Sequence, residues 1–206
     1  MATESNAVRK TGAGSSYTAK DFILLAVFGV VIFLFFMILS MVLSFSIDIA
    51  YWTHAIGGIV GGIAWVYVAA RIPKKGAMAI MGLIMGIVAF LMGMMWTVAV
   101  GIVVGGIVAE LVLIAGKRSM PAHIVAYALF MLCWWFGQVA LLLFASDSYV
   151  QMMVSAGMTA EYAQAVIDWS HGPLCVAAGV CTPVGGAIGA FIGTKVFKKH
   201  FAQLIG

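Results

Sequence analysis

Charge is what this chain has least of. Only 9% of its 206 residues are Asp, Glu, Lys or Arg, against 64% hydrophobic, and mean hydropathy is +1.13. A globular domain needs about 25% charged residues to cover its surface, so a soluble fold is excluded. Cysteine is also scarce. Cys133, Cys175 and Cys181 lie inside apolar stretches at unrelated spacings, which marks small core residues and excludes a disulfide framework or a metal knuckle. Catalytic signatures are missing: there is no zinc-binding His-x-x-Glu-His helix, no Gly-x-Ser-x-Gly, and no pair of intramembrane aspartates. Gly116-Lys117-Arg118 lacks the earlier glycine and the Ser/Thr of a phosphate-binding loop, so the chain has no ATPase of its own. The net charge of +4 comes from short basic clusters between apolar runs, which does not point to nucleic acid. No cleavable signal is expected, because the first apolar run is long and has no small-residue cleavage site.

What is present is a series of apolar runs near 20 residues, the length that crosses a bilayer. The fold class expected is an all-α integral membrane protein, a bundle of six transmembrane helices. The spans read as about 20–45, 49–70, 77–95, 97–115, 124–145 and 174–194, with the third and fourth divided only at Trp96-Thr97. Residues 1–19 read as a disordered cytoplasmic tail, 20–200 as the transmembrane domain and 201–206 as a second tail. Thr18-Ala19-Lys20-Asp21 has the form of a capping box opening the first helix.

All 11 Lys and Arg fall on one side of a six-span layout. Arg9, Lys10 and Lys20 precede span one; Arg71, Lys74 and Lys75 follow span two; Lys117 and Arg118 follow span four; Lys195, Lys198 and Lys199 follow span six. The other side holds Asp48, Asp147, Glu161 and Asp168 and no base. The positive-inside rule then places both termini in the cytoplasm of a cell-membrane protein. The long external loop, 146–173, carries a helix-forming stretch from Ala160 to Trp169 expected to lie at the outer membrane surface. A loop this long serves as a lid or binding loop, or is simply mobile. Gly57-Gly58, Gly61-Gly62, Gly82-x-x-x-Gly86, Gly101-x-x-x-Gly105 and Gly185 to Gly193 are spaced for close helix packing in lipid.

Few polar residues interrupt the spans. Glu110 is the one acid inside them, about 9 Å along its helix from Gly116. It is a functional candidate, or else it reaches Lys117, Arg118 or another base at its own end, or a helix terminus. At the acidic side, His54, Met94, Met95, Trp96, Trp134, Trp135, Gln138, Asp147, Tyr149 and His171 stand at similar depth. Together they would line an outward-opening, aromatic and sulfur-rich pocket suited to a flat, hydrophobic or conjugated ligand. Singly, each has an ordinary role, as interfacial aromatic, gap-filling methionine or hydrogen-bonded histidine. Metal ligation by the histidines and methionines is only weakly indicated, since they share no tight spacing, and no metal site is assigned.

Taken in order, several segments resemble a known family. They are Gly57-Gly58, Arg71-Ile72-Pro73-Lys74-Lys75-Gly76, Met81-Gly82-Leu83-Ile84-Met85-Gly86, Ala109-Glu110-Leu111, Ala126-Tyr127-Ala128, Ala160-Glu161-Tyr162-Ala163, and Gly185-Gly186 through Phe201. The chain is similar to the MptS/Trep_Strep group of substrate-binding (S) components of energy-coupling-factor (ECF) importers. The resemblance implies a non-enzymatic subunit that captures a small-molecule micronutrient and topples in the lipid bilayer. It would dock on a transmembrane coupling protein with two ATPase subunits, which alone use ATP, so the chain needs no cofactor of its own. It also implies docking through small residues of the first helix, for which Ala26 and Gly29 are the candidates, although Val30 departs from an Ala-x-x-x-Ala pattern. Met92-Gly93-Met94-Met95-Trp96 and Gly137-Gln138 depart from the family's pattern at the ligand end, so no relative's substrate carries over; the lining leads instead to a hydrophobic cofactor such as haem. The alternative is a small membrane-embedded enzyme or stand-alone carrier with Glu110, Asp147 and His171 in a polar relay.

Overall fold

The computed structural model describes residues 16–198, which form nine helices and no strand. They are α1 (Ala19–Leu43), α2 (Ile47–Ala50), α3 (Thr53–Arg71), α4 (Ala77–Leu91), α5 (Trp96–Ala115), α6 (Met120–Phe144), α7 (Ser146–Ser155), α8 (Ala160–Ser170) and α9 (Pro173–Val196). Arg9, Lys10, Lys199 and His200, most of the N-terminal tail and the whole C-terminal tail lie outside the described residues.

Five segments are long and apolar enough to cross a membrane: Ala19–Leu43, Ile47–Arg71, Trp96–Ala115, Met120–Phe144 and Pro173–Val196. The expected third span is a shorter apolar helix, α4, and this corrects its far boundary. The run of apolar residues continues to Met95, but Gly93 takes φ +80°. The Met94 amide then donates back to the Ala89 carbonyl at 3.0 Å and the Gly93 amide to Phe90 at 3.0 Å. This left-handed glycine stop closes the helix at Leu91. Fifteen residues span about 22 Å, less than the roughly 30 Å hydrocarbon core.

Six of the helices form a closed ring in the order α1, α3, α9, α6, α5, α4 and back to α1. Glycines make three of its seams. A Cβ on Gly62 would stand 2.5 Å from the Gly189 carbonyl carbon, one on Gly82 2.8 Å from the Gly106 Cα, and one on Gly101 2.8 Å from the Gly137 Cα. Backbones meet there directly, so van der Waals contact and not hydrophobicity holds the helices together, as lipid requires. The outer face of the ring is covered by exposed Ile23, Ile38, Leu111, Phe144 and Val180, side chains that acyl chains solvate.

Where the ring interior closes at the basic end, a set of polar groups is paired across the connections. The Thr18 capping box is formed, with Asp21 Oδ2 accepting from the Thr18 amide at 2.7 Å. Lys74, in the α3–α4 turn, donates to the same Asp21 oxygen at 2.6 Å and to the Ser16 carbonyl at 3.0 Å. Tyr17 donates to the Lys75 carbonyl at 2.8 Å. These contacts tie the entrance of α1 to the α3–α4 turn.

Candidate functional site

The polar residues singled out in the sequence separate into two ends. Glu110, 5% exposed, stands at the basic end of α5. Its Oε1 accepts from Arg118 at 2.5 Å, and its Oε2 accepts from the Met78 amide at the start of α4 at 3.0 Å. Arg118 also donates to the Lys74 carbonyl at 2.8 Å. Lys117 and Arg118 hold φ of +49° and +52°, and the Arg118 amide closes α5 on the Leu113 carbonyl at 2.7 Å. The carboxylate therefore pairs with both a neighbouring base and a helix N-terminus, the two structural alternatives to a ligand site.

At the acidic end, three helices bring a histidine into an aromatic nest. His54, near the start of α3, is 5% exposed. Its ring lies 5.2 Å from Trp134 of α6, edge to face, and 5.8 Å from Phe36 of α1. Phe36 is 4.7 Å from Trp134, and Phe33 stacks on the same indole at 6.2 Å. Neither nitrogen of His54 has a hydrogen-bond partner among the described residues. A buried imidazole left unpaired costs about 1–3 kcal/mol. Trp65 and Tyr127 also have unpartnered polar atoms, farther toward the basic end, where their rings pack on each other at 5.2 Å.

The segment expected to be a long loop folds as two helices over this end. Helix α8 matches the helix anticipated from Ala160 to Trp169, with Thr159 capping it through the Tyr162 amide. Helix α7 was not anticipated; Gly157, at φ +89°, ends it by the same backbone stop that ends α4. Tyr149 of α7 and Trp135 of α6 join Val139, Leu142, Ala163, Val166, Cys175 and Ala178 in a second apolar cluster that roofs the ring. Burial holds the Tyr149 phenol above its ordinary range. In the same roof Tyr51 stacks on Trp169 at 4.2 Å, an arrangement of residues far apart in sequence. Beside Trp169 a cavity of about 550 Å³ opens between the α1–α2 turn, α8 and the start of α9, lined by Ser46, Ile47, Asp48, Ala165, Trp169, Gly172, Pro173 and Leu174.

Of the ten ligand-lining candidates, then, His54 and Trp134 touch, and Trp135 and Tyr149 share the roof. Met95 packs against both clusters, Met94 against the inner one, and Gln138 is half-buried. The remaining three do not face the site. Trp96 is 58% exposed on the outside of the ring, because it opens α5 just after the turn at Gly93. Asp147 is exposed on α7, and His171 is exposed and closes α8 by way of the Ile167 carbonyl at 2.9 Å. Glu110, at the other end of the molecule, is not brought near either of them, so the polar relay of the alternative reading is not assembled. Gly29 also needs correction as a docking residue. It is buried, and a Cβ there would lie 3.2 Å from both Met81 and Met85, so it seats α1 on α4; Ala26 is half-buried. Phe33, Phe36, Tyr51 and Trp169 are the site-forming residues missing from the candidate set. The aromatic content of α1, of the α2–α3 junction and of α8 was their signal.

A family model described as a hypothetical bacterial integral membrane protein (Trep_Strep) matches residues 19–203. No curated protein and no solved structure matches the chain. The match spans all nine helices, and with several apolar helices it marks a multi-pass protein of the cell membrane. The chain belongs to the Trep_Strep family of bacterial integral membrane proteins.

Proposed function

We propose that this protein is the substrate-binding component of an ECF-type importer, a non-enzymatic subunit that captures a micronutrient at its acidic, external end. The observation that carries the reading is His54, an imidazole buried among Phe36 and Trp134 with both nitrogens unpaired, under a roof made by α7 and α8. A buried polar group left unpaired calls for a partner, and a ligand held among these rings would supply one. The basic clusters favour cytoplasmic termini and a sixth, short crossing by α4, which together put this nest on the outer side. The chain carries no nucleotide loop, so energy comes from a coupling protein and two ATPase subunits. The aromatic and methionine lining suits a flat, conjugated ligand, with haem at the large end of that class.

Two measurements test the proposal. Tagged protein purified from its native membrane in mild detergent is expected to bring down a transmembrane coupling protein and an ATPase pair. Vesicles holding the whole assembly are expected to take up ligand only with ATP inside. Uptake by the chain alone along an ion gradient would overturn the subunit reading. ATP-driven uptake that ignores haem and responds to an unrelated non-aromatic solute would overturn the ligand class.

A further inference from the structure

The inner face of α3 carries four buried residues about one turn apart, His54, Gly57, Gly61 and Trp65. The two glycines make a notch, and the ring of Phe36 from α1 lies across it. A Cβ on Gly57 would stand 2.6 Å from Cε1 of that ring, and one on Gly61 2.8 Å from its Cε2. The hydroxyl of Tyr127, from α6, reaches the far end of the same notch, where a Cβ on Gly61 would meet its oxygen at 2.8 Å. Tyr127 is 0% exposed, and its hydroxyl has no hydrogen-bond partner among the described residues. One aromatic ring thus separates two unpaired polar groups: His54, 5.8 Å away ring to ring, and the Tyr127 hydroxyl at Gly61.

Helix α1 holds that ring differently from the way the other helices hold one another. At Gly57 and Gly61 it is the Phe36 side chain that stands closest, and at Gly29 it is the Cγ atoms of Met81 and Met85 at 3.2 Å. The α3–α9, α4–α5 and α5–α6 seams are backbone against backbone. A side chain seated in a glycine notch leaves it by changing rotamer, without two backbones having to part.

We propose that Phe36 stands where the ligand's ring goes. The captured molecule is a neutral aromatic ring with hydrogen-bonding groups on opposite edges; it displaces Phe36 from the notch and bonds to His54 at one edge and to the Tyr127 hydroxyl at the other. This rests on the reading of His54 as the capturing group and adds Tyr127 as a second anchor. A neutral imidazole offers one donor and one acceptor and a phenol can act as either, so each edge of the ligand finds a complement. The side chains grouped around Phe36 are His54, Trp134, Tyr127 and Leu39, which bring no counter-ion for a charged ligand. Haem, with two carboxylates, falls outside this class.

The test uses two probes of matched shape, 1,4-benzenediol and p-xylene, on the full chain in mild detergent, read by calorimetry and thermal shift. Tyr127→Phe deletes only the unpaired hydroxyl; it is expected to weaken 1,4-benzenediol about tenfold and to leave p-xylene unchanged. His54→Phe is expected to weaken the diol to a similar degree. Phe36→Ala opens the notch and is expected to bind both probes about tenfold more tightly than wild type, since no ring has to move. Phe36→Leu, which keeps more of the packing, is expected to change in the same direction if the alanine variant does not fold. Diol binding unchanged in Tyr127→Phe but weakened in His54→Phe would overturn the second anchor and leave the His54 nest standing. Diol binding unchanged in both would overturn the nest as well. Both Phe36 variants binding no more tightly than wild type would overturn Phe36 as the stand-in. The expected pattern in a chain that associates with no coupling module would support the site and overturn the importer reading.

Discussion

Glu110 at the basic end has both carboxylate oxygens engaged, one by Arg118 and one by the Met78 amide, while His54 at the acidic end has neither ring nitrogen engaged. The two groups are equally buried, each 5% exposed. What differs is the use made of the surrounding chain. Around Glu110 two connections converge, and each supplies a donor: Arg118 from the α5–α6 turn and the Met78 amide from the first turn of α4. Around His54 the neighbours are mid-helix aromatic side chains, whose backbone groups are spent on their own helices. A paired charge between turns holds helices in place. An unpaired ring among aromatics holds nothing, and its cost is offset only when something else occupies the site.

Breaking the better-paired end has the largest expected consequence. Glu110→Ala takes the carboxylate away from Arg118 and from the start of α4, and is expected to lower stability by about 3 kcal/mol, seen as a lower thermal midpoint in detergent. Glu110→Gln retains hydrogen bonding to the Met78 amide and is expected to lose less. Neither is expected to alter ligand affinity in the protein that remains folded; a large loss of affinity would mean that the two ends are coupled.

Gly62→Leu tests the scaffold between the two ends. Its side chain would be forced into the Gly189 backbone, and a loss of about 2 kcal/mol is expected from separating α3 and α9. An unchanged thermal midpoint would show that this seam is not closely packed in the membrane. His54→Phe should behave in the opposite sense. Removing two unpaired polar atoms without changing much volume is expected to raise stability by about 1 kcal/mol and to abolish ligand capture. A destabilised His54→Phe variant would point to a structural partner for the imidazole. The smallest effect is expected from Lys117→Gly, which relieves a left-handed backbone strained for a side chain and is expected to add about 0.5 kcal/mol, read from the same melting curves.

Much of the basic end was legible in the sequence, because its chemistry is local. Thr18 and Asp21 sit three apart, so the capping box follows from spacing alone. Glu110 lies two turns before Arg118, close enough on one helix and its following turn for pairing to be an evident alternative. The acidic end was harder. Tyr51 and Trp169 meet only because α8 folds back over the α2–α3 junction, and no periodicity in either segment announces that. The stop at Gly93 was missed because apolar residues continue through it, and only the sign of φ ends the helix. Trp96 was consequently assigned to the ligand end when the new helix turns it outward. Gly29 shows a further limit: a small residue on a membrane helix serves an internal seam as readily as a docking face, and composition does not distinguish them.

The central claim is that the unpaired His54 nest captures a small molecule, and native mass spectrometry of the protein in mild detergent tests it most directly. Wild-type protein and Glu110→Gln are expected to carry the same non-lipid small-molecule adduct, and His54→Phe to carry none. An adduct retained in full by His54→Phe would contradict the account, as would wild-type protein that takes up no small molecule even after exposure to an extract of its own growth medium.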